Sequence, residues 1–271
     1  MKLLYTKLFA MLFAVAALIG VSTGSAFAAN DWAVGNYIEV TGQGMAPANS
    51  MNAVHGRMLA RRAAVADAYR QLAEMVKGVQ VESGTDVEMM MLASDEVKLR
   101  VSTTIKGATV VSERDLGGGG YEVTMRMPIF GSDNSLAKAV LPAQPQQVRE
   151  TFPAPTVTVP SSGGYTGLIV DCRGLGLKPV MSPVIKNDSG QKIYGYKNLD
   201  PDKVIAQGMA NYTYDPNSGV DRAGYNPLIV KAISVDNHNG DPVISTADAD
   251  KVLAENSVSH FLENTNVVFI R

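Results

Sequence analysis

Residues 141–164 read "LPAQPQQVRETFPAPTVTVPSSGG", a stretch with five prolines and no run of large apolar side chains. Such a segment has too little apolar surface to offset the entropy of ordering it in a core of its own, and its prolines favour extended, polyproline-like backbone. It divides the chain into two blocks of domain size, 29–141 and 165–271, with 142–164 as a predicted linker and the first site of proteolysis. Each block is long enough to bury a core.

The start of the chain reads differently. Lys2 and Lys7 precede the apolar run Leu8 to Val21, and Ala26-Phe27-Ala28 is a small-x-small cleavage signal. This predicts a secretory signal peptide over residues 1–28, with the mature protein starting at Ala29. The run is short for a membrane span, and no later run is long enough to make one. Outside the leader the chain is mildly acidic and has no basic block, which argues against a nucleic-acid partner. Cys172 is the one cysteine, so an exported chain of this kind relies on packing rather than a disulfide.

The first block alternates from Tyr37 to Gly44, as a half-buried strand does. A helix follows from about Met51 to Lys77, stopped by Gly78. "VQVES" is a second strand. Ser94 caps a second helix that ends before Gly107. "ATVVSERD" and "YEVTMRMPIF" form a hairpin around Gly117 to Gly120, and Ser135 to Leu141 a short closing helix. The order β-α-β-α-β-β predicts an α+β fold: an antiparallel sheet with helices on one face.

The second block is also read as α+β. Strands are expected at "TGLIVDCRG", "PLIVKAISVD" and "NVVFIR", and a hairpin turns at Asn187 to Gly190. A short helix starts at Asp200-Pro201. A longer one is capped by Ser245 and Asp248. Alternation would put Leu168, Val170 and Cys172 on one face and Ile169, Asp171 and Arg173 on the other.

Little in the sequence points to catalysis. His238 lies in a turn beside Asp236 and Asp241, but turns collect aspartates for backbone reasons. His55 is a solvated residue at the start of the long helix. Cys172 sits on an apolar strand face and reads as structural. "GLGLKP" lacks a third glycine and runs into Pro179, and "GQG" at Gly42 to Gly44 is followed too late by its helix, so neither is a phosphate loop. No carboxylate pair stands out as acid and base. The expectation is a protein that is not an enzyme, with no metal and no cofactor.

Two cations in the long helix invite a role. On a helical wheel Met58, Val65, Tyr69, Leu72 and Val76 form one apolar stripe. Arg61 and Arg62 flank that stripe. They are candidates either for binding an anionic partner or for structural ion pairs with a strand carboxylate, Glu39, Glu82, Glu113 or Glu122. Of the two, Arg62 is expected to matter more. In the second block Tyr194, Tyr196, Tyr212, Tyr214 and Tyr225 recur closely, which would suit stacking on a sugar, although tyrosines more often pack.

With these elements placed, the first block resembles the LPP20 family of bacterial envelope proteins. It is also similar to the N-terminal domain of flagellar assembly protein T. The residues that carry the resemblance are "VTGQGMAP" (40–47), "ARRAAVADAYRQLAE" (60–74), "GVQVESGT" (78–85) and "KGATVVSE…YEVTMRMP" (106–128). The resemblance implies an exported, periplasmic or outer-membrane-associated scaffold or assembly component without catalytic residues. Its implied partners are other envelope proteins, flagellar basal-body components or further copies of itself. No lipid-attachment cysteine follows the leader, unlike in lipoprotein members. The alternative is a second domain that binds a cell-wall polymer or small ligand.

Overall fold

The computed structural model describes residues 32–131, 133–141 and 149–271. The predicted leader and residues 142–148 of the predicted linker lie outside the described residues.

The first domain comprises α1 (Trp32–Gly35), β1 (Tyr37–Met45), α2 (Ala53–Lys77), β2 (Gln80–Glu82), β3 (Thr85–Asp86), α3 (Val87–Ala93), α4 (Asp95–Lys106), β4 (Thr109–Gly117), β5 (Gly120–Pro128) and α5 (Leu136–Val140). Side chains start the helices: Asn52, Ser94 and Ser135 accept the amides of His55, Val97 and Lys138, which meets donors that a helix cannot satisfy internally. Three strands form an antiparallel sheet in the order β1-β5-β4. β5 is central and turns Val123, Met125 and Met127 inward.

The predicted second strand exists, but β2 does not join that sheet. It is three residues long and pairs with β3. The carbonyls of Gln80 and Val81 accept the amides of Met181 and Ser182 of the second domain, at 3.0 and 2.8 Å. A strand this short gains little from a sheet of its own domain, and here its backbone is satisfied across the domain junction.

The second domain comprises β6 (Gly167–Asp171), β7 (Ile185–Asn187), β8 (Lys192–Tyr194), α6 (Pro201–Gln207), β9 (Asn211–Thr213), α7 (Val220–Ala223), β10 (Pro227–Lys231), β11 (Ser234–Asp236), β12 (Asp241–Ile244), α8 (Thr246–Ser259) and β13 (Val267–Ile270). The expected strand "PLIVKAISVD" is thus two strands, β10 and β11. One sheet, β10-β6-β13-β9, is parallel throughout. The other, β11-β12-β7-β8, is mixed. Parallel strands are covered on both faces and read as continuous apolar runs. "LIV" in β6 and "VVFI" in β13 are such runs. The expected two-faced alternation of β6 therefore does not separate inside from outside: Leu168 and Val170 enter the main core, and Ile169 packs with Ala223, Val268 and Ile270.

Residues 149–164, read in the sequence as linker, carry no helix or strand but are fastened to the second domain. Arg149 donates to Asp200 at 2.7 Å, and Phe152 stacks on Tyr194 with ring centroids 6.5 Å apart. Two carboxylates of α8, Asp250 and Glu255, are each 2% exposed. Asp250 accepts the amide and hydroxyl of Thr156. Glu255 accepts the hydroxyls of Ser161 and Ser162 and the amides of Ser162 and Gly163, all between 2.8 and 3.0 Å. One continuous apolar core runs through both domains.

Candidate functional site

The position of α2 decides what the first domain leaves open. Its buried residues are Gly56, Ala60, Ala64, Ala68, Leu72 and Val76, a ridge at four-residue spacing that is made of small residues as far as Ala68. This ridge lies on β1, where Gly42 and Gly44 face it. A Cβ on Gly42 would overlap the Ala64 carbonyl and the Ala68 amide, and one on Gly44 the Ala60 carbonyl and the Ala64 amide. Glycine is needed there because helix backbone meets strand backbone directly.

A four-residue ridge drifts about 40° per step around a helix. It therefore coincides with the apolar stripe of the sequence at Leu72 and Val76 and diverges from it toward the N-terminus. Met58, expected on the buried stripe, is 55% exposed, and Met51 and Val54 are 80% and 67% exposed. Farther along, Val65 and Tyr69 pack against the core, and Tyr69 donates its hydroxyl to the Lys106 carbonyl.

β4 is the second half of this surface. It is an edge strand, and all nine of its residues are exposed. The sheet face that bears α2 is covered over β1 and β5 but not over β4. Val110, Val111 and Leu116 are consequently at the surface. Register shifts at Val110/Ser112 and Asp115/Gly117 twist the strand. At its hairpin end a cleft of about 570 Å³ lies between the Pro47–Ala48 loop and the glycines 117–120.

Ion pairs cross the trough between α2 and β4. Arg61 forms a two-pronged pair with Glu113, at 2.8 and 2.5 Å, and Tyr121 donates its hydroxyl to the same carboxylate at 3.0 Å. The Arg61 guanidinium holds Glu113 below the usual carboxylate range. Arg57 reaches Asp115 at 2.8 Å. Arg62 is exposed and has no partner among the described residues. The two arginines are thus not equivalent: Arg61, not the Arg62 expected to matter more, is the one held by a carboxylate of β4.

The tyrosines of the second domain do not share a face. Tyr194 and Tyr212 are in the core, donating to the carbonyls of Met209 (2.7 Å) and Val180 (3.0 Å). Tyr196 is half-buried. Tyr214 and Tyr225 are exposed, and Arg271 lies over the Tyr214 ring at 4.5 Å. A stacking platform built from all five is therefore ruled out. Cys172 is fully buried, and burial pushes its thiol up to about 12. His238 is exposed and packs on Gly84; the ring of His55 accepts the Met51 amide at 3.3 Å. Among the described residues no group of three His, Cys, Asp or Glu side chains is arranged to hold a metal ion.

The exposure of β4 was the feature least accessible to sequence reasoning. "TVVSERDLG" differs from β5 in its doubled valine and its Glu-Arg-Asp run. These mark a bulged, charged edge strand, but they do not tell which strand the helix covers.

Comparison with known families bears on both domains. Residues 38–127, from the start of β1 to the end of β5, match the family LPP20 lipoprotein. Residues 167–271, from β6 to the last residue, match the family described as Treponema pallidum Tp0624, second domain. No curated protein matches the chain. Among the described residues, no helix is long and apolar enough to cross a membrane. The first domain is therefore similar to the LPP20 lipoproteins, as its motifs implied, and the second to the second domain of Tp0624.

Proposed function

We propose that this protein is an exported, non-catalytic component of the bacterial envelope that holds other envelope proteins together, in a flagellar or outer-membrane-associated assembly. The observation that carries this reading is β4. An edge strand exposed along its whole length presents Val110, Val111 and Leu116 to a partner; its bulges and charged run disfavour an added strand, so the contact proposed is through side chains. Met51, Val54 and Met58, exposed at and just before the start of α2, supply further surface that a partner would bury. Similarity to a lipoprotein family supports the envelope. Cys172, fully buried, is not a site for a lipid, so protein contacts are the proposed means of attachment. The flagellar setting rests on the resemblance of the first domain alone.

Photo-cross-linking in cells tests the reading. A photoreactive residue at Val111 or Leu116 should capture a discrete envelope protein, and one at the exposed Tyr225 should not. Capture at Tyr225 alone would overturn it.

A further inference from the structure

A cleft of about 580 Å³ opens where the two domains meet, a volume in the range of small-ligand sites. One wall is the β2–β3 turn of the first domain, with Glu82 and Ser83. The other belongs to the second domain, with Lys192, Tyr196 and Asn198. The walls are held in place by the main-chain hydrogen bonds from Met181 and Ser182 to β2 and by Ser83, which donates to Asp241 at 2.7 Å. The cleft is thus preformed rather than assembled by a ligand.

Most of its charges are already matched. Lys197 pairs with Glu150 at 3.4 Å. Asp241 accepts from Ser83, Val184 and Asn237 and faces Lys186. Two charges are not: Glu82, from the first domain, and Lys192, from the second, have no hydrogen-bond or ion-pair partner among the described residues. A carboxylate on one wall and an ammonium on the other suit a ligand that carries both signs. The Tyr196 ring in the same lining suits the apolar groups of a peptide, while the Asn198 amide is engaged by the carbonyls of Glu150 and Thr151 and helps to shape the wall.

We propose that the interdomain cleft binds a short peptide with free termini, its ammonium toward Glu82 and its carboxylate toward Lys192. This does not depend on the assembly role of β4.

Calorimetric titration of the full-length protein tests it, with trialanine as the probe. N-acetyl-trialanine and trialanine amide each remove one charge. Trialanine should bind, and each capped form should bind about tenfold more weakly, the loss expected for a hydrogen-bonded charge. Glu82→Gln should weaken trialanine by a similar factor and leave N-acetyl-trialanine unchanged. Lys192→Met should do the same for trialanine and leave the amide unchanged. Both positions are exposed, so neither variant endangers folding. Absence of trialanine binding, or binding insensitive to capping and to both substitutions, overturns the proposal. So does binding of chitotriose in place of the peptide. Cross-linking through β4 in Glu82→Gln cells should persist, which separates a failure here from a failure of the assembly role.

Discussion

Arg61 and Arg62 are neighbours whose loss removes different things. Removing Arg61 breaks a two-pronged pair and leaves Glu113 with Tyr121 alone. Both partners are partly exposed, at 46% and 29%, so solvent screening keeps the cost of Arg61→Ala to about 0.5–1 kcal/mol. Arg62→Ala removes no partner and should stay within about 0.5 kcal/mol of wild type. Urea unfolding of the full chain checks both, and an Arg62→Ala loss larger than that of Arg61→Ala would contradict the assignment. The pH dependence has a definite sign. Because Glu113 is held below its ordinary value in the folded state, its contribution is present above the unfolded glutamate pKa, roughly 4.3. It is lost as the pH falls through the folded value. The gap between wild type and Arg61→Ala should therefore close on acidification, not on raising the pH.

At the scale of elements, the contact of α2 with β1 rests on two glycines. Gly42→Ala places a methyl against helix backbone, which has no rotamer by which to yield. It should cost at least about 3 kcal/mol, at the upper end of overpacking effects, whereas Gly118→Ala at the open hairpin tip meets nothing nearby and should cost far less, chiefly backbone strain at its positive φ. Thermal melts of the two variants decide this, and a soluble Gly42→Ala with a wild-type melt would show that the helix can slide. The strap, residues 149–164 fastened to the second domain, gives a second test. Burial pushes Glu255 up, but the donors from Ser162, Ser161 and Gly163 outweigh that and hold it below the ordinary glutamate range. Glu255→Gln puts an amide donor where donors already point, so cleavage within 149–164 should be slow in wild type and rapid in the variant. Equal rates would mean that the anchor is not what protects the strap. These elements also show what the sequence could and could not reveal. Caps are local, so Ser94, Ser245 with Asp248, and Asp200-Pro201 were legible, as was the glycine hairpin. The strap was not, because its Ser and Thr donors meet carboxylates some 92–94 residues away. "GQG" was visible but was weighed as a phosphate loop, since its use as a helix seat depends on where α2 lands. The parallel sheet was hidden because "LIV" and "VVFI" have no alternation to read.

Across the whole molecule, two families match separate blocks, 38–127 and 167–271, yet these blocks share a core. Besides that core, the Gly131 amide donates to the Ile205 carbonyl at 2.9 Å, and a set of polar contacts gathers around β2. Asp241 is their hub: 2% exposed, it ties Ser83 of the first domain to Val184, Asn237 and Lys186 of the second. Ser83→Ala deletes one hydrogen bond to it and should cost about 1 kcal/mol. Asp241→Ala leaves several donors facing a gap and withdraws one of the two carboxylates beside Lys186, so a cost of about 2–4 kcal/mol is expected. The shape of the transition is more telling than its midpoint. With the junction intact, the shared core should make the full chain melt in one calorimetric transition. With Asp241→Ala, the β2 pairing loses its support, and the transition should broaden or split as the domains begin to unfold separately. Wild type melting in two steps would show that the shared core does not couple the domains. A single sharp transition in Asp241→Ala would show that the shared core and the main-chain bonds across the junction suffice without the hub.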